Sequence, residues 1–445
     1  ASGAGALQAL AAKDGSSMSV LRIQGGRPLT GTVAAAGNKN AVLPMIAAAL
    51  LTDEPVTLDN VPDIGDVGHM LEIAAALGAG VERDLAARRV VLRGAGLRET
   101  VLPPRLCEEL RAGVLFAAPL VARLGRAEMR PPGGDVIGRR RLDAHFLGLE
   151  ALGVRCQAEE RFTFHADRPL RGADIFLPEA SVTGTEQILI AAAAAEGETW
   201  IRNCASEPHV QDLARLLAAM GAQIDGIGSN ALHVVGARTL RGTTQRVSSD
   251  YTEAGSFLAL AAATGGSITV SDVAPEHYRM VRHVFDRLGI RLELSGDRIS
   301  VPAGQDRRIR PDARGGFPVI DDGPWPSFTS DLMSVAIVMA TQLEGTVLFF
   351  EKMYESRMYF VDRLIAMGAN AVICDPHRVV VTGPARLHGI QINSPDIRAG
   401  IALLGGALCA RGQSTIRNVV LIDRGYEGIE GKLRALGADI VRENA

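Results

Sequence analysis

The sequence predicts an α/β fold that repeats one supersecondary unit six times. Two observations support this. Strand-like segments alternate with Ala-rich apolar helix patterns along the chain. A Leu-Gly-Ala-like turn also follows the second helix of each unit, at Gly78, Gly153, Gly221, Gly289, Gly368 and Gly437. Successive turn glycines are 75, 68, 68, 79 and 69 residues apart, so six near-equal steps fill the 445 residues. A chain of this length usually forms two domains.

One unit shows the pattern of elements. Residues 187–197 are apolar and Ala-rich, which predicts a buried helix, and GETWIRN alternates like a strand. A second helix is expected after Ser206, a candidate N-cap, and Gly221 suits the left-handed position after its end. One face of this helix is apolar: Val210, Leu213, Leu216 and Leu217. The strand AQIDGIG then turns back, and EPVTLDN, GSITVSD, GTVLFFE and GQSTIRN begin the same sequence of elements in other units.

Composition excludes several classes of protein. The chain is 47% hydrophobic and 22% charged, with a net charge of −3, which argues against global disorder and against a nucleic-acid or membrane-surface role. Apolar stretches reach about 11 residues, too few to cross a bilayer. Residues 1–17 lack a signal-peptide pattern and predict a flexible tail. The cysteines lack metal spacing and predict reduced core thiols in a cytosolic protein: Cys107, Cys156, Cys204, Cys374 and Cys409.

The segment AAAGNKNAVLP places Lys39 and Asn40 where an apolar helix begins, after Gly37. A lysine at a helix N-terminus opposes the helix dipole, so a site that keeps it there can use it, together with the helix end, to hold an anion. The alternative is a solvated surface lysine.

A loop is predicted at RPPGGDVIGRRRLDAH, since its prolines and glycines are incompatible with a helix or a central strand. Charged residues follow within it: Asp135, Arg139, Arg140, Arg141, Asp143 and His145. Guanidinium groups bind phosphate through paired hydrogen bonds, so a glycine-rich loop followed by arginines suits phosphate recognition. The alternative is a mobile surface loop with solvated charges.

Polar residues also begin later units. Ser330 and Asp331 precede an apolar helix near Trp325, so Asp331 is either a first-turn acid or a carboxylate aimed into a cleft. The segments YESR, SPDIRAG and IDRGYEGIEGKL carry a further set: Glu355, Ser356, Arg357, Asp396, Arg398, Asp423, Arg424 and Glu427. Matching positions in different units would converge on one cleft.

Taken in order, GNKNAVLP, PPGGDVIG, SEPHVQD, YESR, SPDIRAG and IDRGYEGIE resemble the UDP-N-acetylglucosamine enolpyruvyl transferase family, from about Leu21 to Ile440. The sister enzyme, 5-enolpyruvylshikimate-3-phosphate synthase, shares the sixfold architecture but not the Lys-Asn-Ala opening. The resemblance implies a two-domain inside-out α/β barrel with six βαβαββ-like repeats, three per domain, and an active site in the interdomain cleft. One domain would span residues 39–248, including the glycine-rich loop at about 131–141. The other would combine 18–38 with 249–445.

The resemblance implies carboxyvinyl transfer from phosphoenolpyruvate to the 3-hydroxyl of UDP-N-acetylglucosamine, by addition and then elimination of phosphate, as the first committed step of peptidoglycan synthesis. It implies no metal or organic cofactor. It also implies no nucleic-acid or membrane partner, a monomer or weak homo-oligomer, and a cytoplasmic location.

Residue roles carried over from the resemblance fall into three groups. The cations that would hold phosphoenolpyruvate are Lys39, Arg111, Arg140 and Arg424. Asp331 would be the base, Asp135 at the loop tip the acid, and Asp396, beside Arg398, a carboxylate near the reacting carbon. The residues that would contact UDP-N-acetylglucosamine are Asn40, Arg111, Arg140, Asp143, His145, Ser181, Val182 and Asp331.

The chain departs from the family pattern at four positions. Asp135 replaces the common loop-tip Cys, Arg141 a common Pro, Glu179 a common Lys and Leu115 a Trp. The reference pKa of Asp is about 3.9 against about 8.5 for Cys, so desolvation would have to raise the pKa of Asp135 against its neighbouring arginines. Fosfomycin alkylates the Cys, so resistance to this drug is expected. The other departures concern the acceptor rather than the reaction.

Two alternatives stay open. The chain is then either an enolpyruvyl transferase acting on another nucleotide acceptor, or a catalytically silent paralogue that binds a UDP-sugar. Retention of Lys39, Asp331, Asp396 and Arg424 argues against silence. Phosphate release with different acceptors separates these possibilities.

Overall fold

The computed structural model describes residues 19–134, 138, 141–167 and 169–444. The predicted tail, residues 1–17, lies outside them, as do Asp135, Arg139 and Arg140 of the predicted loop. The strands are β1 Ser19–Gln24, β2 Thr30–Ala34, β3 Val56–Asp59, β4 Gly80–Asp84, β5 Arg89–Arg93, β6 Arg126–Met129, β7 Val154–Ala158, β8 Phe162–Ala166, β9 Asp174–Phe176, β10 Glu198–Arg202, β11 Gln223–Asp225, β12 Ala231–Val235, β13 Thr243–Arg246, β14 Ser267–Ser271, β15 Glu293–Ser295, β16 Arg298–Val301, β17 Val319–Asp321, β18 Gly345–Phe350, β19 Asn370–Asp375, β20 Arg378–Gly383, β21 Gln391–Asn393, β22 Gln413–Arg417 and β23 Asp439–Asn444.

The α-helices are α1 Lys39–Ala48, α2 Gly65–Ala76, α3 Pro104–Glu109, α4 Ala117–Leu124, α5 Asp143–Ala151, α6 Val182–Ala193, α7 Pro208–Ala219, α8 Tyr251–Thr264, α9 Arg279–Arg287, α10 Ser330–Ala340, α11 Val361–Ala366, α12 Ile397–Cys409, α13 Val420–Asp423 and α14 Ile429–Ala435. Short 3₁₀ helices span Ala49–Leu51, Gly94–Gly96, Arg111–Phe116, Pro275–Tyr278 and Arg357–Phe360. Among the helices described, none is both long and apolar enough to cross a bilayer.

The third unit displays the repeat in full, in the order β9, α6, β10, α7, β11, β12. β9 and β10 pair in parallel, with Ile175 opposite Ile201. β12 pairs antiparallel with both β10 and β11, which gives the sheet order β11-β12-β10-β9. This unit has the predicted βαβαββ order.

Six sheets occupy the described part of the chain. Five have four strands and one has three, and each is open rather than closed into a barrel. Two sheets take a strand from a distant part of the sequence. β1 inserts between β22 and β23 of the last unit, with Leu21 opposite both Ile416 and Arg442. β13 pairs in parallel with β3 of the first unit. Strands from distant parts of the chain thus complete the sheets of the last and the first units.

Helices such as α12 lie inside, whereas the sheets and helices such as α9 lie further out. Every residue of α12 from Ile397 to Leu408 is buried, which explains why its sequence is apolar on all sides. Strands such as β20 alternate buried and more exposed residues, as expected for sheets with one face on the core. This arrangement is the inside-out architecture, and the Ala-rich composition of the helices allows their close packing.

The six turn glycines share one backbone conformation. Gly78, Gly153, Gly221, Gly289, Gly368 and Gly437 have φ angles of 101°, 93°, 122°, 78°, 105° and 94°. Only glycine adopts this left-handed region without steric cost. The predicted helix-ending turns are therefore confirmed at all six positions.

Buried apolar residues form two separate clusters. The first core draws its residues from Ala41 to Val247. The second core combines Leu21–Ala35 with Tyr251–Ile440. The chain passes between the cores twice, and the two crossings lie side by side: Asn38 donates to the Ser248 carbonyl and Asp250 to the Ala36 carbonyl, both at 2.8 Å.

Three local predictions need correction. The helix expected over 187–197 spans Val182–Ala193, because Ser181 caps it six residues earlier. Ser206 is not an N-cap: α7 begins at Pro208, and the Ser206 hydroxyl donates to the Trp325 carbonyl at 3.3 Å. Cys374 is exposed rather than a core thiol, since it lies in the alternating strand β19.

Candidate active site

Lys39 is the first residue of α1 and is buried, at 9% exposure. The Asn38 side chain caps the helix by accepting the Ala41 N–H at 3.1 Å. The Lys39 N–H donates to Asp250 Oδ2 at 3.2 Å, and its Nζ lies 2.7 Å from Asp66 Oδ2. The structure therefore excludes the alternative of a solvated surface lysine.

Asp66 joins cations from both cores. It lies in the first turn of α2 at 1% exposure, and its Oδ1 lies 2.8 Å from Arg424 Nε. Burial by itself raises the pKa of Asp66, but Lys39 and Arg424 together outweigh it and leave the pKa below the usual range. Arg424 Nη2 also donates to the Glu109 carbonyl at 3.5 Å. Two of the predicted phosphate-binding cations thus meet at one carboxylate.

Asp331 is a first-turn acid of α10, and Thr329 is the N-cap. Its Oδ2 lies 2.7 Å from Arg398 Nη2 and its Oδ1 lies 3.3 Å from Arg357 Nη2. Burial opposes its ionisation, but Arg398 and Arg357 hold the pKa of Asp331 well below its usual range. The side chain keeps 23% exposure, so the ionised carboxylate is accessible to solvent.

Arg398 and Asp396 belong to the start of α12. The Asp396 carboxylate caps this helix by accepting the N–H groups of Arg398 at 2.8 Å and Ala399 at 2.9 Å. The Arg398 guanidinium reaches Tyr426 Oη at 3.1 Å besides Asp331. Asp396 and Asp331 therefore flank Arg398, one through its backbone and one through its side chain.

Two helix N-termini lie together in the first core. Ser181 caps α6 by accepting the Gly184 N–H at 3.3 Å, so Val182 opens that helix, and Asp143 opens α5. A Cβ built on Gly184 would lie 3.1 Å from the Ala144 Cβ, which shows how closely the two helix starts approach. Adjacent N-termini present unpaired N–H groups and favour an anion.

Not every predicted residue has an exposed surface. His145 is 0% exposed, and its ring nitrogens lie 2.5 Å from Gln187 Oε1 and 3.0 Å from Thr183 Oγ1. It braces α5 against α6 here, and its contact with a nucleotide stays a prediction. Asn40 is half-buried on the first turn of α1.

The glycine-rich loop reaches from the first core to the second. Gly133 packs so tightly that a Cβ on it would lie 1.7 Å from the Glu108 carbonyl oxygen. Arg111 Nη2 donates to the Arg141 carbonyl at 2.8 Å. Gly138 has φ +133°, and a Cβ on it would lie 3.0 Å from Glu355 Oε2. The loop tip itself, with Asp135 and Arg140, lies outside the described residues.

Further contacts join the two cores around this space. Arg88 Nη2 lies 2.9 Å from Glu427 Oε2, and the Trp325 N–H donates to Glu207 Oε1 at 3.3 Å. These contacts and the Asp66–Arg424 pair bring together segments of both cores.

Comparison with known proteins identifies the family. Residues 23–433 match the family of EPSP synthase (3-phosphoshikimate 1-carboxyvinyltransferase). The chain belongs to this enolpyruvyl transferase family. UDP-N-acetylglucosamine 1-carboxyvinyltransferase of Bradyrhizobium diazoefficiens is 51% identical over 420 residues, which cover 94% of this chain and 97% of the relative. The protein of the same name from Treponema pallidum is 51% identical over 426 residues, 96% of this chain and 100% of the relative.

Solved structures of enolpyruvyl transferases share the fold. The enolpyruvyl transferase NikO of Streptomyces tendae superposes with a TM-score of 0.85 at 22% identity, covering 96% of this chain and 100% of that one. EPSP synthase of Acinetobacter baumannii gives 0.72 at 18% identity, with coverage of 96% and 100%. The predicted fold class is thereby confirmed.

Sequence patterns missed two buried carboxylates that contact predicted site residues or their neighbours. Asp66 follows Gly65 at a helix start, which resembles many surface helices. Glu351 follows the apolar strand β18 and is fully buried. Of the departures from the family pattern, Arg141 and Glu179 are exposed, whereas Leu115 is buried in the first core.

Proposed function

We propose that this protein is a UDP-N-acetylglucosamine 1-carboxyvinyltransferase, which serves peptidoglycan synthesis. It transfers the enolpyruvyl group of phosphoenolpyruvate to the 3-hydroxyl of UDP-N-acetylglucosamine and releases phosphate. The observation that carries this is the 51% identity to relatives of that name across 94% of the chain.

The two cores correspond to two domains in this proposal, one of residues 39–248 and one of 18–38 with 249–445. Separate apolar clusters and two adjacent crossings support the division. Substrates bind in the cleft, where both domains contribute charged groups.

Phosphoenolpyruvate binds to Lys39 and Arg424, assisted by Arg111 and Arg140. Lys39 and Arg424 carry two positive charges against the single negative charge of Asp66, so their junction retains a net positive charge. Such preorganised charges act strongly in a cleft that excludes water. Asp66 keeps the two cations at a fixed separation.

The acceptor hydroxyl is placed against Asp331. Its depressed pKa keeps the carboxylate ionised at neutral pH, and only an ionised carboxylate can accept the hydroxyl proton. Because Arg398 and Arg357 also weaken its basicity, these ion pairs must loosen as the proton arrives. Asp396 lies at the opposite end of Arg398, near the reacting carbon.

The reaction proceeds by addition and elimination. The acceptor oxygen bonds to C2 of phosphoenolpyruvate while Asp135 gives a proton to the methylene carbon, and the hydroxyl proton goes to Asp331. The intermediate then returns a proton from its methyl group to the Asp135 carboxylate, and phosphate leaves with the proton that Asp331 took up. The double bond forms again, and the proton count balances.

The nucleotide lies against the first domain. This proposal assigns nucleotide binding to Arg140, Asp143, Ser181 and Val182. It assigns the sugar side of the acceptor to Asn40 and Arg111. The adjacent starts of α5 and α6 support an anion there. His145 acts from behind, through Thr183.

Phosphate release tests the proposal directly. Purified protein is mixed with phosphoenolpyruvate and, in separate reactions, UDP-N-acetylglucosamine, shikimate 3-phosphate or another uridine nucleotide. Release with UDP-N-acetylglucosamine alone is expected. Release only with another nucleotide would reassign the acceptor, and binding without any release would indicate a silent paralogue.

A further inference from the structure

Glu351 is a fully buried carboxyl group directly behind Asp331, at 0% exposure. Its Oε2 accepts the hydroxyl of Ser330, the residue before Asp331, at 2.7 Å. Its Oε1 accepts the N–H groups of Met353 and Tyr354, both at 3.1 Å. One carboxyl group therefore joins the start of α10 to the turn that leads to Arg357.

Arg357 lies at the end of this turn and is 7% exposed. Its Nη2 is 3.3 Å from Asp331, its Nε is 3.8 Å from Glu351 Oε2, and its guanidinium stacks 4.9 Å from the Tyr354 ring centre. Its Nη1 is buried without a hydrogen-bond partner among the described residues. The orientation of this guanidinium group therefore depends on the turn that Glu351 holds through its hydrogen bonds to Met353 and Tyr354.

Asp322 is a second buried acid beside Glu351, at 2% exposure. Its Oδ1 accepts the Lys352 N–H at 2.5 Å, whereas its Oδ2 is buried with no partner in the described part of the chain. Two adjacent buried carboxylates repel, and one proton held between them removes the repulsion and satisfies the open oxygen. Asp322 and Glu351 directly follow the paired residues Asp321 and Phe350 of the parallel strands β17 and β18, which places them side by side.

The charge environment agrees with one retained proton. Burial, followed by the hydrogen bond and the charge of Asp322, raises the pKa of Glu351 to about 8, although Arg357 and Ser330 act against the rise. The other titratable groups nearby are Asp331 on α10 and His377, whose Nδ1 lies 2.7 Å from the Glu351 carbonyl. The Lys352 amine is directed away, to Asp321.

We propose that Glu351 is a positioning residue for enolpyruvyl transfer. It shares one proton with Asp322 and thereby keeps the side chains of Asp331 and Arg357 in their relative positions. This inference rests on the proposed function for its reaction readout. When the proton is lost at alkaline pH, repulsion between the two carboxylates displaces the turn over residues 352–357 and the acceptor binds less tightly.

Three variants test this. Glu351→Gln keeps an acceptor for the two N–H groups and gives Asp322 a donor that cannot titrate. Glu351→Met keeps the length but removes both functions. Glu344→Gln is the matched control, because Glu344 is an exposed residue on the same side of the molecule and pairs with Arg308 at 3.0 Å.

Affinity for UDP-N-acetylglucosamine without phosphoenolpyruvate is measured across pH, so that no proton transfer to carbon contributes. Wild type and Glu344→Gln should lose affinity as pH rises through about 8, and Glu351→Gln should not. Folded Glu351→Met should lose kcat by about 100-fold, the usual effect of a misplaced catalytic group, while Glu351→Gln restores it.

The free energy of unfolding, measured as a function of pH, tests whether Glu351 retains this proton, and it needs no substrate. A carboxyl whose folded pKa is raised binds more protons when folded, so stability falls between the unfolded value of about 4.3 and the folded value, and is level above it. Wild-type stability relative to Glu351→Gln should follow that profile. An equal profile in both proteins, or wild-type kcat in folded Glu351→Met, overturns the inference. If the wild-type protein shows this pH profile of stability but turns over neither substrate, the proposed function is contradicted and the inference about Glu351 is not.

Discussion

Lys39 shows how burial changes the meaning of a single residue. In sequence it is a lysine at a helix start, compatible with a solvated side chain. In the structure its ammonium is buried against Asp66, and Arg424 approaches the same carboxylate from the other core. Retaining such charges away from water is costly, so a functional use of the cations explains their placement.

Replacing Lys39 separates activity from stability. Lys39→Ala should lower kcat/KM by about 100- to 1,000-fold, the range for removing one preorganised charge-stabilising group. Because Lys39 pairs with a buried acid, unfolding free energy should also fall by about 1–3 kcal/mol. Lys432→Ala removes a comparable ion pair, 2.6 Å from buried Glu253, outside the cleft. It should lose stability but keep kcat/KM. Equal activity in both variants would exclude the proposed role of Lys39.

Asp66 should contribute stability that depends on pH. Its folded pKa is depressed, so its contribution is present above the unfolded value of about 3.9 and is lost as pH falls through the folded value. Urea unfolding of wild type and Asp66→Asn should therefore differ at pH 7 and converge in acid. A difference that is constant from neutral pH into acid would show that the ionised form has no special partner.

Asp135 should determine the response to fosfomycin. A carboxylate is a poorer nucleophile than a thiolate toward the epoxide, so wild type should resist covalent inactivation and Asp135→Cys should gain sensitivity. If Asp135 donates the proton, activity falls as pH rises through the pKa of this group, and the Cys variant shifts that limb upward. Asp135→Asn should lose turnover. Mass spectrometry of a fosfomycin adduct at Asp135, or normal turnover of the Asn variant, would refute the assignment.

Each repeat combines a first helix that is apolar all round with a second helix and strands that are apolar on one face. The first helices fill the interior, and the second helices and the alternating strands cover it. Left-handed glycines end the second helix of each unit and return the chain to its sheet. These turns look alike in sequence, yet their surroundings differ.

Two turn glycines should respond differently to the same substitution. Gly289 and Gly437 both have positive φ, at 78° and 94°. A Cβ on Gly289 would lie 2.2 Å from the Arg308 carbonyl oxygen, whereas the nearest atom at Gly437 is 4.0 Å away. Gly437→Ala should cost about 1–2 kcal/mol from backbone strain alone. Gly289→Ala should cost clearly more in urea unfolding, and equal losses would show that the segment carrying Arg308 yields freely.

At the scale of the whole molecule, polar contacts join the two cores. Asp66 with Arg424, Arg88 with Glu427 and Glu207 with Trp325 hold the two sides together. These contacts are polar, and polar contacts of this kind permit relative motion of domains. A ligand that contacts both cores is expected to stabilise the arrangement in which the two cores lie close together.

Small-angle scattering should detect this closure. UDP-N-acetylglucosamine at saturation should lower the radius of gyration, because its sugar reaches Asp331 while its nucleotide stays on the first core. Uridine monophosphate is the control, since it reaches only the first core and should leave the radius unchanged. An unchanged radius with saturating UDP-N-acetylglucosamine would contradict a site between the cores for this ligand.

The sequence by itself determined the sixfold repeat, the order of helices and strands within a unit, and the segments that carry Lys39, Asp331, Asp396 and Arg424. These follow from hydrophobic periodicity and from glycine at left-handed turns, which are local properties of the chain. The helix start at Val182 was missed by several residues, because a polar first turn hides a buried helix.

Only the tertiary structure decided which charged groups meet. Asp66 and Arg424 are 358 residues apart in sequence, and β1 completes a sheet with strands from the opposite end of the chain. Glu351 and Asp322 are recognisable as a pair only once β17 and β18 lie side by side. Pairing between distant segments depends on how the repeats pack into two cores. No local sequence pattern specifies which distant segments come together.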